Sequence, residues 1–242
     1  MDLTRADDRP VAIAGLEFRL TEFYNVVSVY GIIRENFRET LLWVRPENDQ
    51  QLAPIIDFSS PEIEGWCTKG NEKVPSWSWM AYTGTINYFS FRSVVRDVWD
   101  QFEDLTFVYT GKGRCVLVTL AMQLAHRCNL IRPIESTANC KIETDSGACV
   151  GRIWYDYVGD DVDHRELRYV VVKEGKAIYN WNTHSLKASG DSSYSLSDFL
   201  FYRQSQFVLV VQRIANRRYR RRGAGIIKKG YLTTLEDKIS VY

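Results

Sequence analysis

Asp156, Asp160, Asp161, Asp163 and His164 set four carboxylates and an imidazole within nine residues, close enough to gather round a divalent cation. That grouping is the candidate for a metal-dependent enzyme. The run lacks the glycine and terminal glutamate of a calcium loop, and a charge-rich connection between strands is the commoner origin of such a cluster. A second grouping is basic: Arg213, Arg217, Arg218, Arg220, Arg221 and Arg222, with Lys228 and Lys229 nearby. Arginine forks match phosphate oxygens and Tyr219 among them can stack on a base, so Arg217, Arg218, Arg220, Arg221 and Arg222 form a candidate surface patch for nucleic acid or anionic lipid. The same run also reads as the tip of a hairpin between 207–215 and 225–232, where charges solubilise a turn or pair with acids on adjoining loops.

Nucleophilic catalysis needs Ser or Cys beside His, and the chain has three histidines, His126, His164 and His184. His126 lies two residues before Cys128, a spacing that does not by itself build a triad. The G-x-S-x-G, H-E-x-x-H and G-x-x-x-x-G-K-[ST] patterns are absent, and Gly111-Lys112-Gly113 reads as a turn. No catalytic, cofactor-binding or metal residue is assigned, and neither enzyme activity nor a cofactor is expected.

Lys and Arg total 31 against 30 Asp and Glu, so the net charge of +1 supplies no global attraction to nucleic acid or anionic membrane. With 242 residues and 45% apolar composition the chain can bury a sizeable core. Five cysteines without C-x-x-C spacing, together with the absence of an N-x-S/T triplet, point to a reduced intracellular setting, expected to be cytoplasmic. The first ten residues carry acids and no apolar run, so they do not read as a signal peptide, and no window approaches 18 uninterrupted apolar residues.

The elements that must position these groups come in two styles. Asp8 as N-cap, Pro10 in the first turn, and Ile13, Leu16, Leu20, Phe23 and Val27 at helical spacing predict one helix. Ile33, Phe37 and Leu41 on one face predict a second over 30–44, ended by Arg45-Pro46. Residues 47–73 read as a surface loop. From 74 onward β-rich runs dominate, at 76–82, 85–91, 115–124, 150–157, 167–173, 207–215 and 225–232, with a short helix at 195–201. The expectation is one α+β unit: two N-terminal helices (1–46) packed on a curved, mostly antiparallel β-sheet or barrel (74–242).

The stretch 74–89, V-P-S-W-S-W-M-A-Y-T-G-T-I-N-Y-F, is the most unusual. On an extended strand Trp77 and Trp79 share a face, with Ser76, Ser78 and Met80 on the other. Such a pair packs a core or offers a stacking platform; the neighbours Val74, Met80 and Ala81 favour burial, which makes Trp77 and Trp79 structural anchors between sheet and helices.

Several blocks together resemble fungal heterokaryon-incompatibility (HET domain) proteins. They are 8–16 (D-R-P-V-A-I-A-G-L), Tyr30-Gly31, Leu41-Leu42-Trp43, Pro75 to Tyr82 with Gly84, Ile86 and Tyr88, and the closing 219–226 (Y-R-R-R-G-A-G-I). The resemblance covers nearly the whole chain and concerns the region that follows the HET domain. The HET domain's own blocks, one rich in Tyr, Trp and Gly and one of the form L-W-I-D-x-L-C-I-x-Q, do not occur here, so no catalytic residue is carried over. The resemblance implies a non-enzymatic regulatory or interaction module acting through a protein partner, in a family linked to self/nonself recognition and cell death. It implies either a piece of a longer protein or a short relative without the death-executing module.

Overall fold

The computed structural model describes residues 9–33, 37–45, 53–54, 74–89, 105–110, 114–131, 139–156, 166–177, 179–180, 185–186 and 203–242. Strands dominate it. Nine of them form one sheet: β1 (Thr106–Thr110), β2 (Arg114–Leu124), β3 (Cys128–Ile131), β4 (Asn139–Thr144), β5 (Cys149–Tyr155), β6 (Leu167–Ala177), β7 (Arg203–Ala215), β8 (Arg218–Lys228) and β9 (Leu232–Val241). The order is β7-β6-β2-β9-β8-β5-β4-β3, with β1 on β2, and β7 pairs β8 as well. That last pairing closes the circuit β7-β6-β2-β9-β8 into a five-stranded ring. Every pairing is antiparallel except β8 with β9, where Arg218 and Tyr219 run beside Ser240 and Val241.

The α+β expectation is therefore corrected to a mainly β fold. Only two short helices are present among the described residues, α1 (Arg9–Tyr24) and the five-residue α2 (Phe37–Leu41), and they do not form a helical layer on the sheet. The helix predicted over 30–44 fails at its start. Tyr30 and Gly31 both have positive φ, 51° and 77°, as a two-residue hairpin turn requires, and they link the strands Ser28–Val29 and Ile32–Ile33. At its far end, Trp43–Val44 pairs as a strand with Asn87–Tyr88. The apolar residues at 33, 37 and 41 keep helical spacing although only one turn of helix forms.

α1 forms where its periodicity predicts and stops at Asn25, whose positive φ turns the chain away. From Leu16 onward its apolar stripe is not buried, however. Leu16, Leu20, Phe23 and Val27 are all exposed, Phe23 by 81%. The predicted helix at 195–201 and most of the loop 47–73 lie outside the described residues.

The 76–82 strand is corrected too. Ser78 caps a 3-10 turn, Trp79–Ala81, because its hydroxyl oxygen accepts from Met80 N at 3.1 Å, and a short polar side chain bonding its own backbone competes with an extended ladder. Trp77 and Trp79 thus diverge: Trp77 is fully buried, and Trp79 is half-buried against the hairpin, where its indole N–H donates to Gly31 O at 3.2 Å.

The strands are apolar on both faces. One buried cluster takes Val170 and Val172, Phe207, Leu209 and Val211; the alternating residues Tyr169, Val171, Val208 and Val210 belong to the other. The first also contains Ile32, Leu41, Leu42, Val44, Trp77 and Phe89, so the N-terminal part covers that face of the sheet. At Gly223 and Gly225, β8 approaches β5 closely: a Cβ at Gly223 would fall 2.2 Å from Trp154 O, and one at Gly225 2.7 Å from Arg152 O. Gly223→Ala is expected to push these strands apart and cost about 1–3 kcal/mol. A thermal midpoint equal to the unmodified protein's would contradict that fit.

Candidate functional site

One member of each charged grouping, Asp156 and Arg221, meets the other at a buried point. The basic run reaches the hairpin tip only at Arg217: the turn between β7 and β8 is Asn216-Arg217, and 218–222 already belong to β8, alternating between the faces of the sheet. Arg217 is exposed, and Arg218, Arg220 and Arg222 are half-buried. Arg220 Nη2 donates to Gln212 Oε1 at 3.1 Å, and the Arg218 guanidinium lies 4.6 Å from the Tyr242 ring centroid. Arg221 points inward and is 1% exposed.

Its guanidinium is used on nearly every side. Nε donates to Asp156 Oδ2 at 2.8 Å and Nη2 to Asp156 Oδ1 at 3.2 Å, a two-pronged carboxylate contact. Nη1 donates to Leu41 O at 2.6 Å, and Nη2 also reaches Trp43 O. The Trp43 ring lies beneath, 3.4 Å from its centroid to Arg221 Cζ. Four N–H directions are thus committed to three residues on two chain segments, 41–43 and 156, and the planar fork is the shape that permits it.

Asp156 is equally enclosed, at 1% exposure, and its N–H donates to Arg222 O at 2.9 Å. Burial pushes its carboxyl above the usual range, while the neighbouring Arg221, Arg222 and Arg45 pull it back toward the ionised form. With both oxygens taken by Arg221, Asp156 is not placed to ligate a metal. Asp160, Asp161, Asp163 and His164 lie outside the described residues, as does His184. Among the described residues no group of three His, Cys, Asp or Glu side chains could hold a metal ion. His126 is exposed, and Cys128 is half-buried with its thiol pushed up chiefly by burial.

The tryptophan block closes the node from the other side. Ser76 Oγ accepts from Arg221 N at 2.9 Å and donates to Tyr242 O, while Ser76 N donates to the same carbonyl at 3.0 Å. Trp43 Nε1 donates to Trp77 O at 2.9 Å, and Ser78 Oγ donates to Tyr30 O at 2.7 Å. Tyr82 packs on Trp43 with ring centroids 5.3 Å apart, and burial raises its phenol well above the ordinary value. Two further contacts tie α2 to β6: Arg38 Nη1 to Val172 O at 2.7 Å, and the ion pair Lys173 with Glu39.

The geometry describes a buried, hydrogen-bonded clamp between the N-terminal segment and the sheet. A guanidinium so enclosed cannot greet a phosphate from solvent, so the predicted patch loses Arg221 and keeps Arg217, Arg218, Arg220 and Arg222 nearer the surface. Residue-by-residue reading missed Ser76 and Trp43 as partners of Arg221. The signal available was the alternation Tyr219, Arg221, Gly223, which is strand spacing carried through a charge run. No helix among the described residues is long and apolar enough to cross a membrane. No model of a known protein family matches the chain, and no match was found among curated proteins or among solved structures.

Proposed function

We propose that the chain is a non-enzymatic interaction module of the HET type, contributing to fungal self/nonself recognition and the cell death linked to it through contacts with a protein partner. One observation carries the reading. Four of the five blocks that carry the resemblance lie far apart in sequence and are bonded to one another: Leu41-Leu42-Trp43 and Ser76 of the tryptophan block bond Arg221 of the 219–226 block, and Tyr30-Gly31 bonds the tryptophan block at Ser78 and Trp79. Their shared job is to lock two parts of the chain together, and the chemistry-bearing side chains Arg221 and Asp156 are consumed in doing so. A module whose most distinctive polar residues are internal offers its partners a surface, not a reaction centre.

The test is expression in a filamentous fungus, alone and joined behind a HET domain, with viability scored by vital dye. The chain alone is expected to leave cells alive, and its fusion is expected to make death depend on the incompatible partner. Death caused by the chain alone would overturn the reading.

A further inference from the structure

We propose that the groove between α1 and the Ser28–Ile33 hairpin binds a small organic ammonium ion with an apolar body. The groove has a volume of about 470 Å³, within the size range of small-ligand sites. Leu16, Leu20, Tyr24, Ile33 and Trp79 line it, and Glu17 is the one charged side chain among its described lining residues. Glu17 is half-buried and held in place: its Oε1 accepts from Gly31 N at 2.9 Å and from the Ser28 hydroxyl. Among the described residues its second oxygen, Oε2, has no hydrogen-bond partner.

Gly31 places an indole beside that carboxylate. Its N–H goes to Glu17 and its carbonyl takes the Trp79 N–H at 3.2 Å, so carboxylate and ring flank the same residue. A Cβ there would lie 2.6 Å from Trp79 Nε1, so only glycine permits this approach. A fixed carboxylate with an open oxygen, an indole and a phenol within apolar walls is the chemistry that selects an organic cation. A neutral apolar guest would strip water from Oε2 and leave it unpaired, an anion would be repelled, and a divalent metal ion would find one open oxygen where it needs several.

The test is calorimetric titration of the full chain with phenylbutylammonium, phenylbutanol, phenylbutanoate and an N-acetyl-lysine amide. The ammonium is expected to bind at least about tenfold more tightly than the alcohol, with the carboxylate weakest. Glu17→Gln keeps the Oε1 acceptor for Gly31 and Ser28, and is expected to reduce the ammonium to the alcohol's affinity at an unchanged melting temperature. Leu20→Trp fills the groove and is expected to abolish binding of every probe. Equal affinities for the three phenylbutyl probes, absence of binding by all of them, a retained ammonium preference in Glu17→Gln, or unchanged binding in Leu20→Trp would each overturn the proposal. Equal binding by the lysine amide would overturn the small-molecule assignment, because the cation would then belong to a protein side chain.

Discussion

Arg221→Met is expected to cost about 3–5 kcal/mol of folding stability, a large share of the roughly 5–15 kcal/mol that holds a typical domain folded. The substitution removes the partner of a carboxylate that is 1% exposed and leaves it charged in an apolar surrounding. It also strands the carbonyls of Leu41 and Trp43, which take guanidinium N–H groups. Arg221→Lys should recover little, since an ammonium has no planar fork to reach Asp156, Leu41 and Trp43 together. Urea unfolding followed by circular dichroism reads the effect. A midpoint for Arg221→Met within error of the unmodified protein would mean that the buried pair carries nothing. Substituting Arg220, Arg221 and Arg222 together is accordingly a poor test of phosphate binding, because loss of Arg221 alone would compromise the fold.

Trp77→Ala carries the second large effect, about 3–5 kcal/mol. Trp77 is fully buried, its ring meets Tyr30 edge-on at 6.0 Å and Phe107 at 5.3 Å between centroids, and its backbone carbonyl holds the Trp43 indole. Removing the ring opens a cavity where the N-terminal segment covers the sheet, a place ringed by strands that cannot readily collapse into it. Trp79→Ala should cost less, because Trp79 is half-buried and packs on the hairpin. Equal losses at the two positions would restore the picture of one shared tryptophan face.

That contrast shows what the sequence made legible and what it did not. The long strands β2, β5, β6 and β7 lie where β-branched and aromatic runs put them, because a strand buried on both faces announces itself by continuous apolar composition. The tryptophan pair was misread because spacing alone presumes a backbone state, and one hydroxyl, that of Ser78, was enough to bend the chain into a 3-10 turn. Helical spacing at 33, 37 and 41 misled in the same way, overridden by the positive φ of Tyr30 and Gly31. The stripe on α1 was visible, yet periodicity identifies an apolar face without saying what covers it. Arg221 was hidden by its neighbours. Among five arginines in six positions nothing in composition marks the one that turns inward, and its carboxylate partner lies 65 residues away in a different charged run.

Arg221 and Asp156 form one internal clamp, and a double-mutant cycle measures their coupling directly. Arg221→Met, Asp156→Leu and the combined variant are to be compared with the unmodified chain by urea unfolding. Each single change is expected to destabilise strongly by leaving a buried charge alone, and the combined variant to lose clearly less than the two single losses summed, since no uncompensated charge remains while only the Leu41 and Trp43 carbonyls stay unpaired. Losses that simply add would contradict the clamp.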